Sequence, residues 1–181
     1  MWEPPPGHPL RRMFAGITEH AFLTTLGVAD PPLIDYLSDL LSRFVSTDAV
    51  YRLRDADGRR LGELVSMVAE AEALPAEGRT RREYHRHIGD FALFWTGLFP
   101  ESVNRTQAVP CRDHVVNFTT LGKRSYRIAS GFDGGPFRDE APVLRRLSDE
   151  FELCAYGLRE VRREWEELAS QPHPPGTGLI G

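Results

Sequence analysis

Three ionisable residues occur at helical spacing in the middle of this chain. Glu83, His87 and Asp90 are spaced four and then three residues apart within the segment RTRREYHRHIGDFALFWTGLFPE, residues 79–101. Residues three and four apart lie on one face of an α-helix, so the spacing predicts a single polar stripe. A glutamate and a histidine on one face can bind a metal ion, and a carboxylate can orient an imidazole for acid–base chemistry. We therefore treat these three residues as candidate ligand, metal or catalytic residues.

A purely structural role is the alternative for this stripe. The stripe continues into Phe94 and Trp95, which carries it toward a core, where polar groups need only be hydrogen-bonded to neighbouring helices. Glu83 and His87 supply two metal ligands, and the ExxH motifs of di-iron bundles are absent from the sequence. Further ligands would come from one of three ordinary sets, namely Glu19 with His20, Asp113 with His114, or Glu150 with Glu152. The sequence thus leaves both the metal and any other cofactor undetermined.

A second candidate is the segment GKRSY, in which Lys123 and Arg124 follow Gly122. Two cations beside a glycine that loosens a helix could contact a phosphate or a carboxylate, so we treat them as candidate anion contacts. The segment lacks the GxxxxGK spacing of a phosphate-binding loop. The structural alternative is a glycine required for packing, flanked by surface charge.

The remaining reactive side chains favour structural roles. Cys111 lies near Asp113 and His114, but catalytic cysteine and histidine residues normally come from distant positions in a sequence. We expect Cys154 to lie at a helical core position. His85 falls on a different helical face from His87, and we expect it to be exposed to solvent.

Aromatic residues follow the polar stripe and could line a pocket for a haem, a flavin or a lipid. They are Phe91, Phe94, Trp95, Phe99 and Phe118. Aromatic side chains at helical spacing are more often plain core, and no cofactor fingerprint accompanies them. Both interpretations stay open on the sequence alone.

Charge and composition narrow the classes of partner. The net charge is −4, and of the 22 Lys and Arg residues only Lys123 is lysine. The basic cluster Arg79, Arg81, Arg82 and Arg86 follows Glu70, Glu72 and Glu77, so we expect a solvated, salt-bridged surface. No nucleic-acid-binding motif is present, which argues against nucleic acid as a partner.

Two isolated cysteines form no disulfide framework, and the start MWEPPPGHPLRR contains no apolar signal region. No apolar run approaches the roughly 20 residues that a membrane span requires. The sequence therefore predicts a soluble, cytoplasmic protein without membrane contact.

Hydrophobic periodicity predicts six helices. They cover approximately residues 11–26, 31–46, 60–74, 79–99, 111–130 and 140–168. The second has the clearest start, because Asp30 can cap free amides and Pro31 fits the first turn. Residues 49–53 alternate weakly, and we expect an irregular segment or a short strand there. The last helix, at roughly 45 Å, would either project past its neighbours or pair with a second subunit.

The chain resembles an uncharacterised family of small bacterial, cytoplasmic, helical proteins. The resemblance extends over most of the ordered chain, including TEHAFLTTLGVADPPLIDYLSDLLSRFVS, RREYHRHIGDFALFWTGLFPE, LGKRSYRIAS and LRRLSDEFELCAYGLREVRREWE. It implies a bacterial, cytoplasmic protein, and no activity, cofactor or catalytic residue comes with it.

These patterns together predict one all-α domain, with a proline-rich lead-in at 1–10, a helical bundle at 11–169 and a flexible tail at 170–181. Because no complete catalytic set is present, we expect a non-enzymatic binding or regulatory module that acts through protein–protein contacts, with a homodimer through the last helix as one possible form. The alternative is an enzyme or a metal- or small-ligand-binding protein centred on Glu83, His87 and Asp90. Whether the protein is an enzyme stays open.

Overall fold

The computed structural model describes residues 4–45, 47–54, 57–58, 62–105 and 112–170. Within these ranges the chain is all-α and forms no β-strand, which confirms the predicted fold class. The helices are α1 Pro9–His20, α2 Pro31–Phe44, α3 Thr47–Val50, α4 Leu64–Ala73, α5 Arg79–Leu98, α6 Pro100–Arg105, α7 Arg112–Ser130, α8 Ala141–Asp149 and α9 Phe151–Ser170.

Helix α5 lies at the centre of the bundle. It packs most extensively against α7, and also against α9 and α4. Ile88, Ala92 and Leu93 in its middle are fully buried. This arrangement matches the expectation that the segment containing the polar stripe is a core helix.

Gly122 explains how α7 comes so close to α5. A β-carbon at Gly122 would lie 2.6 Å from the Phe151 ring and 2.9 Å from the β-carbon of Ala92. Real β-carbons do not approach other atoms so closely, so only glycine fits there without a local shift. The cost of a glycine inside a helix, about 1 kcal/mol relative to alanine, is thus offset by close packing.

The N-terminal helix begins earlier than predicted. The ring nitrogen Nδ1 of His8 accepts a hydrogen bond from Leu10 N at 3.2 Å, and Pro9 occupies the first helical position, where its missing N–H costs nothing. The proline-rich lead-in is therefore shorter than residues 1–10. After His20 the chain continues as a π-helical turn, Ala21–Thr25.

Helix α2 starts as predicted, because Asp30 Oδ1 accepts a hydrogen bond from Leu33 N at 3.2 Å. Residues 47–50 form the single helical turn α3. The segment 49–53, which we expected to be irregular or a short strand, is therefore helical at its first two residues and irregular from 51 to 53. The predicted turn at 55–58 and the first residues of the predicted third helix, including Leu61, fall partly outside the described residues. Helix α4 begins at Leu64.

The predicted last helix is divided at Glu150, whose backbone has φ −114° and ψ 31°. Hydrogen bonds continue through the bend, since Glu150 N donates to Arg146 O at 2.8 Å and Cys154 N donates to Glu150 O at 3.0 Å. Helix α8 packs mainly on α7 and α9 mainly on α5. A long C-terminal helix is therefore confirmed, but it has 20 residues, or about 30 Å, in place of the expected 45 Å.

The heptad positions on these two helices are buried as predicted: Leu144, Leu147, Phe151, Cys154, Leu158 and Val161. Trp165, the last position of the pattern, is 40% exposed and packs edge-on against Phe14. Residues 171–181, predicted as a tail, lie outside the described part of the chain. No described helix combines the length and the apolar character that crossing a bilayer requires.

Candidate functional site

Asp90 of α5 lies at the centre of a buried hydrogen-bond network. Its Oδ1 accepts hydrogen bonds from the hydroxyls of Tyr36 at 2.6 Å and Tyr126 at 2.9 Å. Its Oδ2 accepts two from the guanidinium of Arg43, each at 3.2 Å. The side chain is 0% exposed. A buried carboxylate with this many donors is stably charged and cross-links α2, α5 and α7.

The protonation states of this network follow from its geometry. Burial alone raises the pKa of Asp90, but the guanidinium groups of Arg43 and Arg86 outweigh it and hold that pKa below its usual value. Burial, together with the neighbouring carboxylate, raises the pKa of Tyr36 and of Tyr126 far above 10. Both hydroxyls therefore remain protonated donors to Asp90.

The arginine cluster at the start of α5 is partly buried, which corrects the expectation of a solvated surface. Arg82 is 1% exposed, and it donates to Glu83 at 2.6 Å and to Glu140. Its guanidinium lies 4.0 Å from the ring centroid of Phe137. Phe137 and Glu140 both belong to the loop before α8. The periodicity of α5 could not predict that this loop buries Arg82.

Glu83 belongs to the same arginine cluster. Besides Arg82, its carboxylate lies 3.6 Å from Arg86 and 4.0 Å from Arg52. The carboxylate of Glu83, a candidate metal ligand in the sequence, therefore forms ion pairs with these arginines.

His87 is buried but does not pair with Asp90. Its Nε2 lies 2.9 Å from the carbonyl oxygen of Val50, and its ring packs against Phe44 and Phe91. Since Nε2 must carry the proton to donate to a carbonyl, Nδ1 is left without a hydrogen bond to any described residue. Burial, and then the charge of Arg52, lowers the pKa of His87 to about 3, so the ring is neutral.

The three stripe residues are thus adjacent on α5, but each has different direct hydrogen-bond or ion-pair partners. Among the described residues, no group of three or more His, Cys, Asp and Glu side chains gathers to hold a metal ion. Of the proposed additional ligands, His20 Nδ1 lies 2.9 Å from Glu164, while Glu152 accepts from Lys123. The side chains of Asp113 and His114 lie outside the described part. A metal-binding role for Glu83, His87 and Asp90 therefore has no support from this geometry.

His85 is buried, which overturns its expected exposure to solvent. The side chain is 1% exposed, and Nδ1 lies 3.4 Å from Ser125 Oγ on α7. Burial, followed by the charges of Arg81 and Arg124, lowers the pKa of His85 to about 4. The close approach of α7 covers this second face of α5.

Lys123 and Arg124 project from α7 and pair with carboxylates. Lys123 Nζ lies 2.9 Å and 3.0 Å from the two oxygens of Glu152, and Arg124 lies 2.8 Å from Glu72. The structure brings neither cation to the polar stripe. Their role as anion contacts stays a prediction.

Cys154 occupies the expected core position and is fully buried. Burial, and then the charge of Glu150, raises the pKa of its thiol to about 12, which suppresses the nucleophilic thiolate. Cys111 lies outside the described residues.

An aromatic pocket of about 240 Å³ opens beside the second half of α5. Its rings are Tyr51, Phe91, Trp95 and Phe118, so three of the five aromatic residues singled out in the sequence line it. The other two, Phe94 and Phe99, pack against Trp95 with ring centroids 5.7 Å and 5.6 Å away. Three of the five residues therefore border an open space, and the other two pack against Trp95. The sequence did not single out Tyr51, because its segment has no clear periodicity.

The rest of the pocket wall comes from the start of α4 and from α6. It consists of Gly62, Glu63, Leu64, Val65, Ser102 and Val103. Val65 is 61% exposed and marks the open side. Glu63 is the charged residue among the described part of this lining, and no ion pair or hydrogen bond of its carboxylate occurs among the described residues.

No protein-family model matches this chain, and no curated protein or solved structure is significantly similar to it.

Proposed function

We propose that this protein binds a small organic ligand in the aromatic pocket. The observation that carries the proposal is the convergence of four rings, from α5, α7 and the residue after α3, on one open space of about 240 Å³. Ligand sites are typically concave, mostly apolar, and equipped with a few polar groups. This pocket has that composition, since Glu63, Ser102 and the Tyr51 hydroxyl accompany the rings.

The volume of the pocket limits the size of the ligand. An apolar cavity of about 150 Å³ can hold benzene, whereas drug-sized ligands occupy about 300–1,000 Å³. A space of 240 Å³ therefore suits a single ring or a branched group with one substituent. A haem or a flavin is far larger than this space.

The polar stripe supports this site from the preceding turns of α5. Asp90 ties α5 to α2 and α7, and His87 fixes α5 to the carbonyl of Val50 at 2.9 Å. Val50 directly precedes Tyr51, a pocket residue. We propose that the buried polar groups position the aromatic wall and do not contact the ligand.

The experiment is a titration of ¹⁵N-labelled protein with indole, phenol and 3,3-dimethylbutan-1-ol, followed through the side-chain N–H signals of tryptophan. Trp95 lines the pocket and Trp165 on α9 does not, so one molecule contains both reporter and control. At least one probe should shift the Trp95 signal saturably, with a dissociation constant of about 1 mM or below for a ligand of this size. Absence of a saturable shift with all three probes up to 10 mM would contradict the proposal.

A matched pair of variants locates the binding. Gly62→Phe with Val65→Phe fills the open side, and both positions have room for a larger side chain. Gly16→Phe with Leu168→Phe makes the same kind of change at exposed positions outside the pocket. The first variant should lose the Trp95 response, whereas the second should retain it. Equal responses in both would place the binding elsewhere.

A protein-binding role is the second candidate, and exposed apolar side chains on α9 favour it. Leu153, Tyr156 and Leu168 are 36%, 49% and 53% exposed. We propose that this helix forms a contact with a protein partner, including a second copy of the chain. Size-exclusion chromatography with light scattering should then give a dimer that Tyr156→Glu dissociates, and a strict monomer at high micromolar concentration would exclude self-association. In line with the family resemblance, we propose the bacterial cytoplasm as its location.

A further inference from the structure

We infer that the ligand of the aromatic pocket is an organic cation, held by the faces of Tyr51, Phe91, Trp95 and Phe118 with Glu63 as its counter-charge. This inference rests on the proposed function and adds the chemical class of the ligand. A substituted ammonium group of small size, such as a trimethylammonium group, fits the space of about 240 Å³.

The first argument is the arrangement of the rings. Phe91 lies at the middle of the group, with ring centroids 6.0 Å from Tyr51, 6.1 Å from Trp95 and 6.4 Å from Phe118. These three rings are inclined to Phe91 by 65°, 56° and 30°. All four rings border the same concave space. The negative face of an aromatic ring attracts a cation, and aromatic-lined sites recognise quaternary ammonium groups.

The second argument is the charge of the lining. Among the lining residues that the structure describes, Glu63 is the one of a charged type, and its charge is negative. Glu63 is the N-cap residue of α4, and its side chain forms no capping hydrogen bond. No ion pair or hydrogen bond of this carboxylate occurs among the described residues, and a carboxylate at a pocket wall favours a ligand of opposite charge.

The two arginines that follow Tyr51 in the sequence do not add a positive charge to the lining. They are Arg52 and Arg54, and neither lines the pocket. Arg52 lies 4.0 Å from Glu83, and Arg54 donates to the carbonyl oxygen of Tyr51 at 3.3 Å. The lining residues in the described part of the chain offer an anionic ligand no positively charged group.

The test compares choline with 3,3-dimethylbutan-1-ol, which has the same shape but carries carbon in place of the charged nitrogen. The Trp95 side-chain signal reports both titrations. Choline should bind about tenfold more tightly than the neutral alcohol, because cation–π attraction and Glu63 act on the charged ligand alone. Equal or weaker binding of choline would overturn the inference.

Variants then assign the preference to particular groups. Glu63→Gln should reduce the ratio of choline to alcohol affinity about fivefold, whereas Glu70→Gln on the same helix, outside the pocket lining, should leave that ratio unchanged. Phe118→Leu keeps the wall apolar but removes a ring face, so it should reduce the same ratio. An unchanged ratio in both Glu63→Gln and Phe118→Leu would also overturn the inference.

The outcomes separate this inference from the proposed function. If the alcohol or indole binds at Trp95 without a preference for choline, only the cationic class is wrong. If none of the probes binds, the pocket is not a ligand site and both proposals fail.

Discussion

Gly89 of α5 lies against the ring of Tyr126 of α7, so closely that a β-carbon on Gly89 would be 2.6 Å from ring atoms Cδ1 and Cε1. The next residue along the chain, Asp90, accepts a hydrogen bond from the Tyr126 hydroxyl at 2.9 Å. The absence of a side chain at position 89 therefore lets α7 come close enough for this buried hydrogen bond. The packing of the helices and the polar network depend on each other here.

Gly89→Ala should destabilise the protein by about 1–3 kcal/mol, because the tyrosine ring has to move and the helices separate. The matched control is Gly16→Ala on α1, where an added β-carbon meets nothing within 4 Å. There the better helix propensity of alanine should stabilise the fold by about 0.4–1 kcal/mol. Urea unfolding of both variants measures the difference, and a neutral Gly89→Ala would contradict the described packing.

Asp90→Asn keeps the shape of the side chain but removes the charge that faces Arg43. Loss of one partner of a buried ion pair costs about 3–5 kcal/mol, so this variant should be severely destabilised. Asp149→Asn is the control, since Asp149 pairs with Arg127 at 3.1 Å with both side chains about half exposed. That change should alter stability by less than about 0.5 kcal/mol. Similar unfolding free energies for the two variants would show that Asp90 is not a structural anchor.

The buried histidines make stability depend on pH below neutrality. The pKa is lowered from 6.5 to about 3 for His87 and to about 4 for His85, chiefly by burial. Between pH 6.5 and those values the unfolded chain binds more protons than the folded chain, so stability falls as the pH falls. Each histidine contributes at most about 1.4 kcal/mol per pH unit.

His87→Gln tests this dependence, because the glutamine amide can still donate to the carbonyl of Val50 but does not titrate. From pH 6.5 to pH 4.5 the variant should lose about 2 kcal/mol less stability than the natural chain. Carboxylates contribute equally to both proteins, and the difference at pH 7.5 gives the part that does not depend on pH. Parallel curves of unfolding free energy against pH would exclude a neutral, buried His87.

Cys154 should be unreactive in the folded protein. A Cys111→Ser background leaves it as the only cysteine of the chain. Its thiol pKa is raised to about 12, so a disulfide reagent at pH 8 should modify it at least a thousandfold more slowly than an ordinary thiol of pKa about 8.5. Absorbance of the released thiolate follows the reaction, and denaturant should restore the ordinary rate. Rapid modification without denaturant would contradict the burial of Cys154.

The sequence predicted the features that depend on local periodicity. The stripe Leu144, Leu147, Phe151, Cys154 and Leu158 is buried as expected, and the Asp30 cap begins α2 as predicted. The bend at Glu150 was not predicted, because the hydrophobic pattern runs through it without interruption. The bend coincides with a change of packing partner, since α8 packs mainly on α7 and α9 mainly on α5.

The sequence did not predict burial that is caused by segments distant in the chain. Arg82 is charged and His85 is polar, so their residue types indicate surface positions. In the structure, Phe137 covers Arg82 and α7 covers His85. Of the predicted stripe, His87 and Asp90 are buried, whereas the side chain of Glu83 is 32% exposed. Spacing could not show that Asp90 pairs with Arg43 of α2 while His87 bonds to the carbonyl oxygen of Val50. The aromatic pocket could not be predicted completely, because Tyr51 lies in a segment without clear periodicity.

The central claim is that the four-ring pocket beside α5 takes up a ligand, and a probe titration read at two tryptophans tests it most directly. We predict a saturable change of the Trp95 indole resonance with a constant Trp165 resonance, abolished when phenylalanines replace Gly62 and Val65. A Trp95 resonance that stays fixed with every probe, or that responds equally in the filled variant, would contradict the account.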